Sequence, residues 1–125
     1  MLVPAKAEEE HTELGKHMES MNDAFKGFRR ETDPVKGAAQ AREAQSEALK
    51  AAAEIPEKIK KMPDGAEKAK ASVEYRKAMG KLYITLCEVE EAFLGGKIED
   101  VAKLVESLKT EKKENHDKFI DKKDE

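Results

Sequence analysis

The chain has 125 residues, 41% of them charged and 38% hydrophobic, with a formal net charge of −3. A single domain of this size buries a core without staples, and its one cysteine, Cys87, excludes an internal disulfide and any Cys-x-x-Cys pair for zinc, redox or thioether chemistry. The mildly acidic balance gives no pull toward nucleic acid or anionic lipid, and no apolar run approaches the ~20 residues of a membrane span.

The chain opens on Val3-Pro4-Ala5-Lys6-Ala7, which reads as the tail of a secretory signal. Ala5-Lys6-Ala7 has the small-x-small form of a cleavage site, and Glu8 to Glu10 would begin the mature chain. This points to export and a periplasmic location. Residues 1–7 are therefore taken as a signal remnant or disordered N-terminus, 8–120 as the folded domain and 121–125 as a frayed tail.

A first helix is predicted from Glu8 to Arg30. Leu14, Met18, Met21, Phe25 and Phe28 fall on an a/d stripe, the seam of a bundle helix. Asp33 and Pro34 form an N-cap and first-turn pair for a second helix, Pro34 to Ala53. That helix has Val35, Leu49 and many alanines, and its core stripe is weakly marked. Pro56 interrupts it, and Pro63-Asp64-Gly65 is a turn. A third helix runs from Ala66 to Leu94 with Tyr75, Met79, Leu82, Leu86, Val89 and Phe93 on one face, stopped by Gly95-Gly96. A fourth runs from Lys97 through Ile120, with Ile98, Val101, Val105 and Leu108 as its stripe. Alternating apolar and polar residues persist nowhere. Short links then give an all-α, antiparallel up-down-up-down four-helix bundle.

His116 stands out in the charged last helix. It lies eighteen residues, five whole turns, beyond Ile98 and close to three turns beyond Val105. It should therefore project along the apolar stripe and be partly or wholly buried, needing a partner for at least one ring nitrogen. Lys112, Lys113, Asp117 and Lys118 should face solvent or the edges. In this topology the start of the first helix lies beside the end of the fourth, which puts Met18 opposite His116. A thioether and an imidazole on facing helices can ligate one haem iron. On residues alone, Met18 reads more readily as a core residue, and His116 as a satisfied core or helix-end histidine.

His17 to Lys26, "HMESMNDAFK", resembles the first-helix signature of the cytochrome b562 family, and Gly96 to Phe119 is similar to that family's last helix. "EALKAAAEIPEKI" and "EYRKAM" resemble its middle segments, so the likeness spans Glu13 to Ile120. The resemblance implies one non-covalent haem b per chain, with Met18 and His116 as axial ligands to iron. The related cytochromes c-prime attach haem through Cys-x-x-Cys-His. Lys112-Lys113-Glu114-Asn115-His116 stands in that place and offers no thiol. Lys112 replaces an arginine common in the family; it can neutralise a propionate but is not a planar bidentate donor. Asn115 replaces a tyrosine. Met21, Phe25, Tyr75, Met79 and Leu82 are the expected pocket wall, with Lys112 toward a propionate.

The function this implies is one-electron Fe(III)/Fe(II) transfer rather than catalysis, with an unidentified redox protein as partner. The rival is a haem-free periplasmic bundle acting as an interaction or stress-related module. The chain is expected to be a monomer, with a weak or Cys87-linked dimer as the alternative. Other features read plainly. His11 and His17 do not share a helix face, so they make no metal pair. Lys58 to Met62 is a short basic patch that would steer an acidic partner at most. Cys87 reads as a small core residue.

Overall fold

Thr12 and Asp33 set the first two helices. The computed structural model describes residues 12–120; the expectations for the signal remnant, Glu8 to His11 and the tail from 121 onward lie outside these. The Thr12 hydroxyl accepts from Gly15 N at 2.9 Å and opens α1, Glu13–Phe28. Asp33 accepts from Val35 N at 2.9 Å and Lys36 N at 3.2 Å, with Pro34 in the first turn of α2, Pro34–Ala52. Each cap satisfies donors that a helix start otherwise leaves unpaired.

The connection after α2 holds a one-turn helix, α3, Glu57–Lys60, begun at Pro56. Ile59 is buried beneath it, and Lys58 Nζ donates to the carbonyl of Lys118 at 3.2 Å. The turn closes at Gly65, whose φ of 147° favours glycine. The fourth element, α4, spans Ala66–Leu94 and α5 spans Ile98–Phe119. Between them Gly96 adopts φ 71°, Gly96 N donates to Phe93 O and Lys97 N to Ala92 O at 2.8 Å, a Schellman stop. The four long helices form an antiparallel up-down-up-down bundle, with no strand among the described residues.

Two of the four stripes are as the sequence predicts. On α4, Tyr75, Met79, Leu82, Leu86, Val89 and Phe93 are all buried, and on α1 so are Leu14, Met21, Phe25 and Phe28, with Met18 half-buried against them. In α2, however, the large residues are not the core. Val35 is 74% and Leu49 55% exposed, whereas Ala38, Ala41, Ala44, Ala48 and Ala51 are buried. Leu49 points 100° round from Ala48, and Val35 sits in the exposed first turn. Ile98, expected on the α5 stripe, is exposed at the helix start, and Phe119 is buried at the other end. Cys87 is only half-buried.

The alanine face lets α2 approach closely. Its backbone packs against both α1 and α4, and α4 packs against α5, while α1 and α5 make no comparably close approach. The tightest point is Gly37, where an added Cβ would lie 2.3 Å from the Phe93 ring. His17 Nδ1 lies 2.8 Å from Glu47 Oε2 and ties α1 to α2. Tyr75 Oη donates to Ala51 O at 2.6 Å and ties α4 to α2. Substituting Gly37→Ala should therefore cost about 1–3 kcal/mol in urea unfolding, because a rigid ring cannot yield. Gly80→Ala, whose Cβ meets nothing within 4 Å, should instead gain about 0.5–1 kcal/mol.

Candidate functional site

Where α1 and α5 stand apart, a cavity of about 460 Å³ opens between them and is floored by α4. That is within the roughly 300–1,000 Å³ of small-molecule sites. The eight residues singled out from sequence all line it: Met18, Met21 and Phe25 from α1, Tyr75, Met79 and Leu82 from α4, and Lys112 and His116 from α5. The apolar stripe supplies the walls. Tyr75 and Met79 are fully buried, and Phe119 meets Tyr75 edge-on with ring centroids 5.4 Å apart.

The expectation that His116 is buried is not met: it is exposed. Turn counting aimed it at the inner face correctly, but α1 does not cover that face at this level. The imidazole borders the cavity. His17 does not line the cavity; it faces Glu47 on α2. Among the described residues no cluster of His, Cys, Asp or Glu is arranged to hold a metal ion.

Lys112, expected among residues facing solvent or the edges but also toward a propionate, lines the cavity. It is turned inward, its Nζ 4.0 Å from the centroid of the Phe25 ring, a cation–π contact between α5 and α1. Burial, helped by the nearby charges of Arg29 and Lys26, lowers its pKa to about 8. Arg29 also reaches the Phe25 ring, at 6.0 Å.

Among the described residues the cavity lining contains four cations, Lys26, Arg29, Lys112 and Lys113, and no carboxylate, although the chain as a whole is acidic. Its donors include the thioethers of Met18, Met21 and Met79, the His116 imidazole and Asn22, whose Oδ1 is buried without a hydrogen-bond partner among the described residues. A flat apolar ligand with carboxylates at one edge and a soft, nitrogen-accepting metal at its centre matches these walls, donors and charges. A haem has those properties, so the residues present fit the group.

A family model described as cytochrome b562 matches residues 13–119. This chain belongs to the cytochrome b562 family. Cytochrome b562 proteins are haem-binding electron carriers. No curated protein matches the chain. No helix among the described residues is long and apolar enough to cross a membrane.

Sequence reasoning missed Lys26, Arg29, Asn22 and Phe119 as cavity residues. The signal was present. Stepping 4, 3, 4 from Met18 gives Asn22, Phe25 and Arg29, a stripe one position over from the core seam. The chain also carries a buried acid beside the site. Glu111, on α5, faces α4; Thr85 Oγ1 lies 3.1 Å from its Oε1, while Oε2 has no partner. Burial raises its pKa, and the Thr85 hydrogen bond offsets only part of that.

Both groups give stability a pH dependence. Lys112 in the folded chain loses its proton before it does in the unfolded chain. Between about 8 and 10.5 the unfolded state holds the extra proton, so stability rises with pH across that window. Lys112→Met should stabilise the ligand-free chain at pH 7 by about 1–2 kcal/mol, discounted for its partly open position. The margin should shrink as pH climbs from 8 toward 10.5 in chemical unfolding. For Glu111 the folded pKa is the higher one, so stability falls as pH rises from the ordinary value of 4.5 through the folded value. Glu111→Gln keeps an acceptor for Thr85 and removes the charge. It should gain about 1 kcal/mol at pH 7 and lose that advantage below pH 4.5 in the same assay.

Proposed function

We propose that this chain is a b-type cytochrome carrying one non-covalent haem, with Met18 and His116 as the axial ligands. The observation that carries the reading is their convergence: Met18 from α1 and His116 from α5 border the same cavity, whose remaining walls are mostly apolar and whose charges, among the described residues, are positive. Non-covalent binding follows from residues 112–116, which hold no cysteine.

When bound, haem supplies a one-electron Fe(III)/Fe(II) couple. The protein's own parts do the rest. Met18 presents a neutral, polarisable sulfur, which favours the ferrous state and raises the potential. His116 presents an imidazole nitrogen from the opposite helix. Two protein donors leave no position for a substrate, which suits a carrier better than an enzyme. Met21, Phe25, Tyr75, Met79 and Leu82 would hold the haem in apolar surroundings and exclude water, and Lys112 would neutralise a propionate. Tyr75 is fixed by its 2.6 Å hydrogen bond to Ala51 O. A periplasmic location is part of this proposal and is supported by membership of the family. The proposal also takes the chain to be monomeric and to exchange electrons with a redox protein. A haem-free interaction or stress module would leave the cavity and its cations without a role.

Titrating the purified chain with haemin should give a one-to-one complex with a sharp Soret band and split α and β bands on reduction. Met18→Ala and His116→Ala should each convert the low-spin six-coordinate spectrum to a high-spin one. An unchanged low-spin spectrum in either variant would remove that residue from the ligand pair. Absence of stoichiometric binding would sink the reading as a whole.

A further inference from the structure

Lys26, Arg29 and Lys112 are drawn together where no carboxylate among the described residues pairs with them. Arg29 and Lys26 are close enough to perturb Lys112, and Arg29 and Lys112 share the ring of Phe25. Among the described residues none of the three lies within ion-pair distance of a carboxylate, though the surface elsewhere pairs its lysines freely, as in Lys16–Glu13, Lys50–Glu47 and Lys109–Glu106. Clustered like charges cost free energy unless an anion joins them. The cluster sits at one side of a cavity whose interior is apolar.

We infer that Lys26 and Arg29 of α1, together with Lys112 of α5, form a carboxylate clamp that selects the ligand by its acid groups independently of any metal. This rests on the haem reading for the identity of the natural ligand and deepens it by assigning two residues of the first helix to specificity. Arg29 brings the planar, bidentate donor that Lys112 lacks. Lys26 and Lys112 act as point charges from either side. The class of ligand is an apolar, flat molecule bearing carboxylates on one edge. Metal-free protoporphyrin belongs to this class; a porphyrin with esterified acids does not.

The probes are haemin, haemin dimethyl ester and metal-free protoporphyrin, all delivered in the same mild detergent. Haemin and its ester are followed at the Soret band and protoporphyrin by its fluorescence, with the wild-type chain and the double variant Lys26→Gln/Arg29→Gln. The wild type should bind metal-free protoporphyrin and should prefer haemin to its ester by about tenfold or more, the scale of one charge-assisted hydrogen bond. In the double variant that preference should fall to about twofold or less, and protoporphyrin affinity should drop by about tenfold. At saturating haemin the double variant should keep the low-spin spectrum, because neither residue is an iron ligand. A double variant that retains the wild-type preference for free acid over ester overturns the clamp, as does failure of the wild type to bind protoporphyrin when it binds haemin. Those outcomes leave Met18 and His116 standing. Conversely, a high-spin haemin complex in the wild type overturns the ligand pair while the ester comparison still reads the clamp. Far-ultraviolet circular dichroism and a urea titration of the double variant establish that both surface substitutions leave the bundle folded.

Discussion

The close approach of α2 to its two neighbours governs the layout of the molecule. Alanines at 38, 41, 44, 48 and 51, and Gly37 beneath the Phe93 ring, remove side-chain bulk from one side of the bundle. Helices separated by alanines sit nearer than helices separated by methionines and aromatics. Four helices cannot all be drawn together in this way when the opposite pair carries Met18, Phe25, Lys112 and His116. The compact side and the open side are thus two results of one distribution of side-chain volume. The large residues of α1 and α4 that would fill an ordinary core instead form the walls of a cavity.

Much of this was legible in the sequence because helical periodicity is a strong signal when the apolar residues are large. The α4 stripe from Tyr75 to Phe93 and its Gly95-Gly96 stop needed only counting. The α2 face was obscure for the reason that makes it useful: alanine is a good helix former on any face, so an alanine stripe carries little contrast with its surroundings. Val35 and Leu49 drew attention by size and turned out to face solvent. His116 shows a different limit. Periodicity gives the direction in which a side chain points but not whether another element arrives to cover it. That depends on interhelical distance, which is set elsewhere, on α2.

The charges tell a similar story. Lys112 read as a surface residue with a possible ligand role, since lysine on a charged helix usually faces water. Only the arrangement of three segments shows that it lies over Phe25 and beside Arg29. Arg29 and Lys26 stand in "FKGFRRE", where basic residues at the end of a helix also complement its dipole. Their second placement, on the edge of an apolar space, is a property of two helices at once. Glu111 was equally hidden. A glutamate in "TEKKEN" gives no hint that Thr85 of another helix meets one of its oxygens and leaves the other unpaired.

The absence of cysteine in residues 112–116 has a further consequence. A ligand held without a covalent bond is free to leave, and what it leaves behind is a chain with three mutually repelling cations and an uncovered apolar wall. Occupancy and folding are then linked by mass action. A ligand at a hundred times its dissociation constant adds about 2.7 kcal/mol to the free energy of unfolding, a large share of the roughly 5–15 kcal/mol of a small domain. On the haem reading proposed above, the stability of the folded chain would therefore rise with the supply of its ligand.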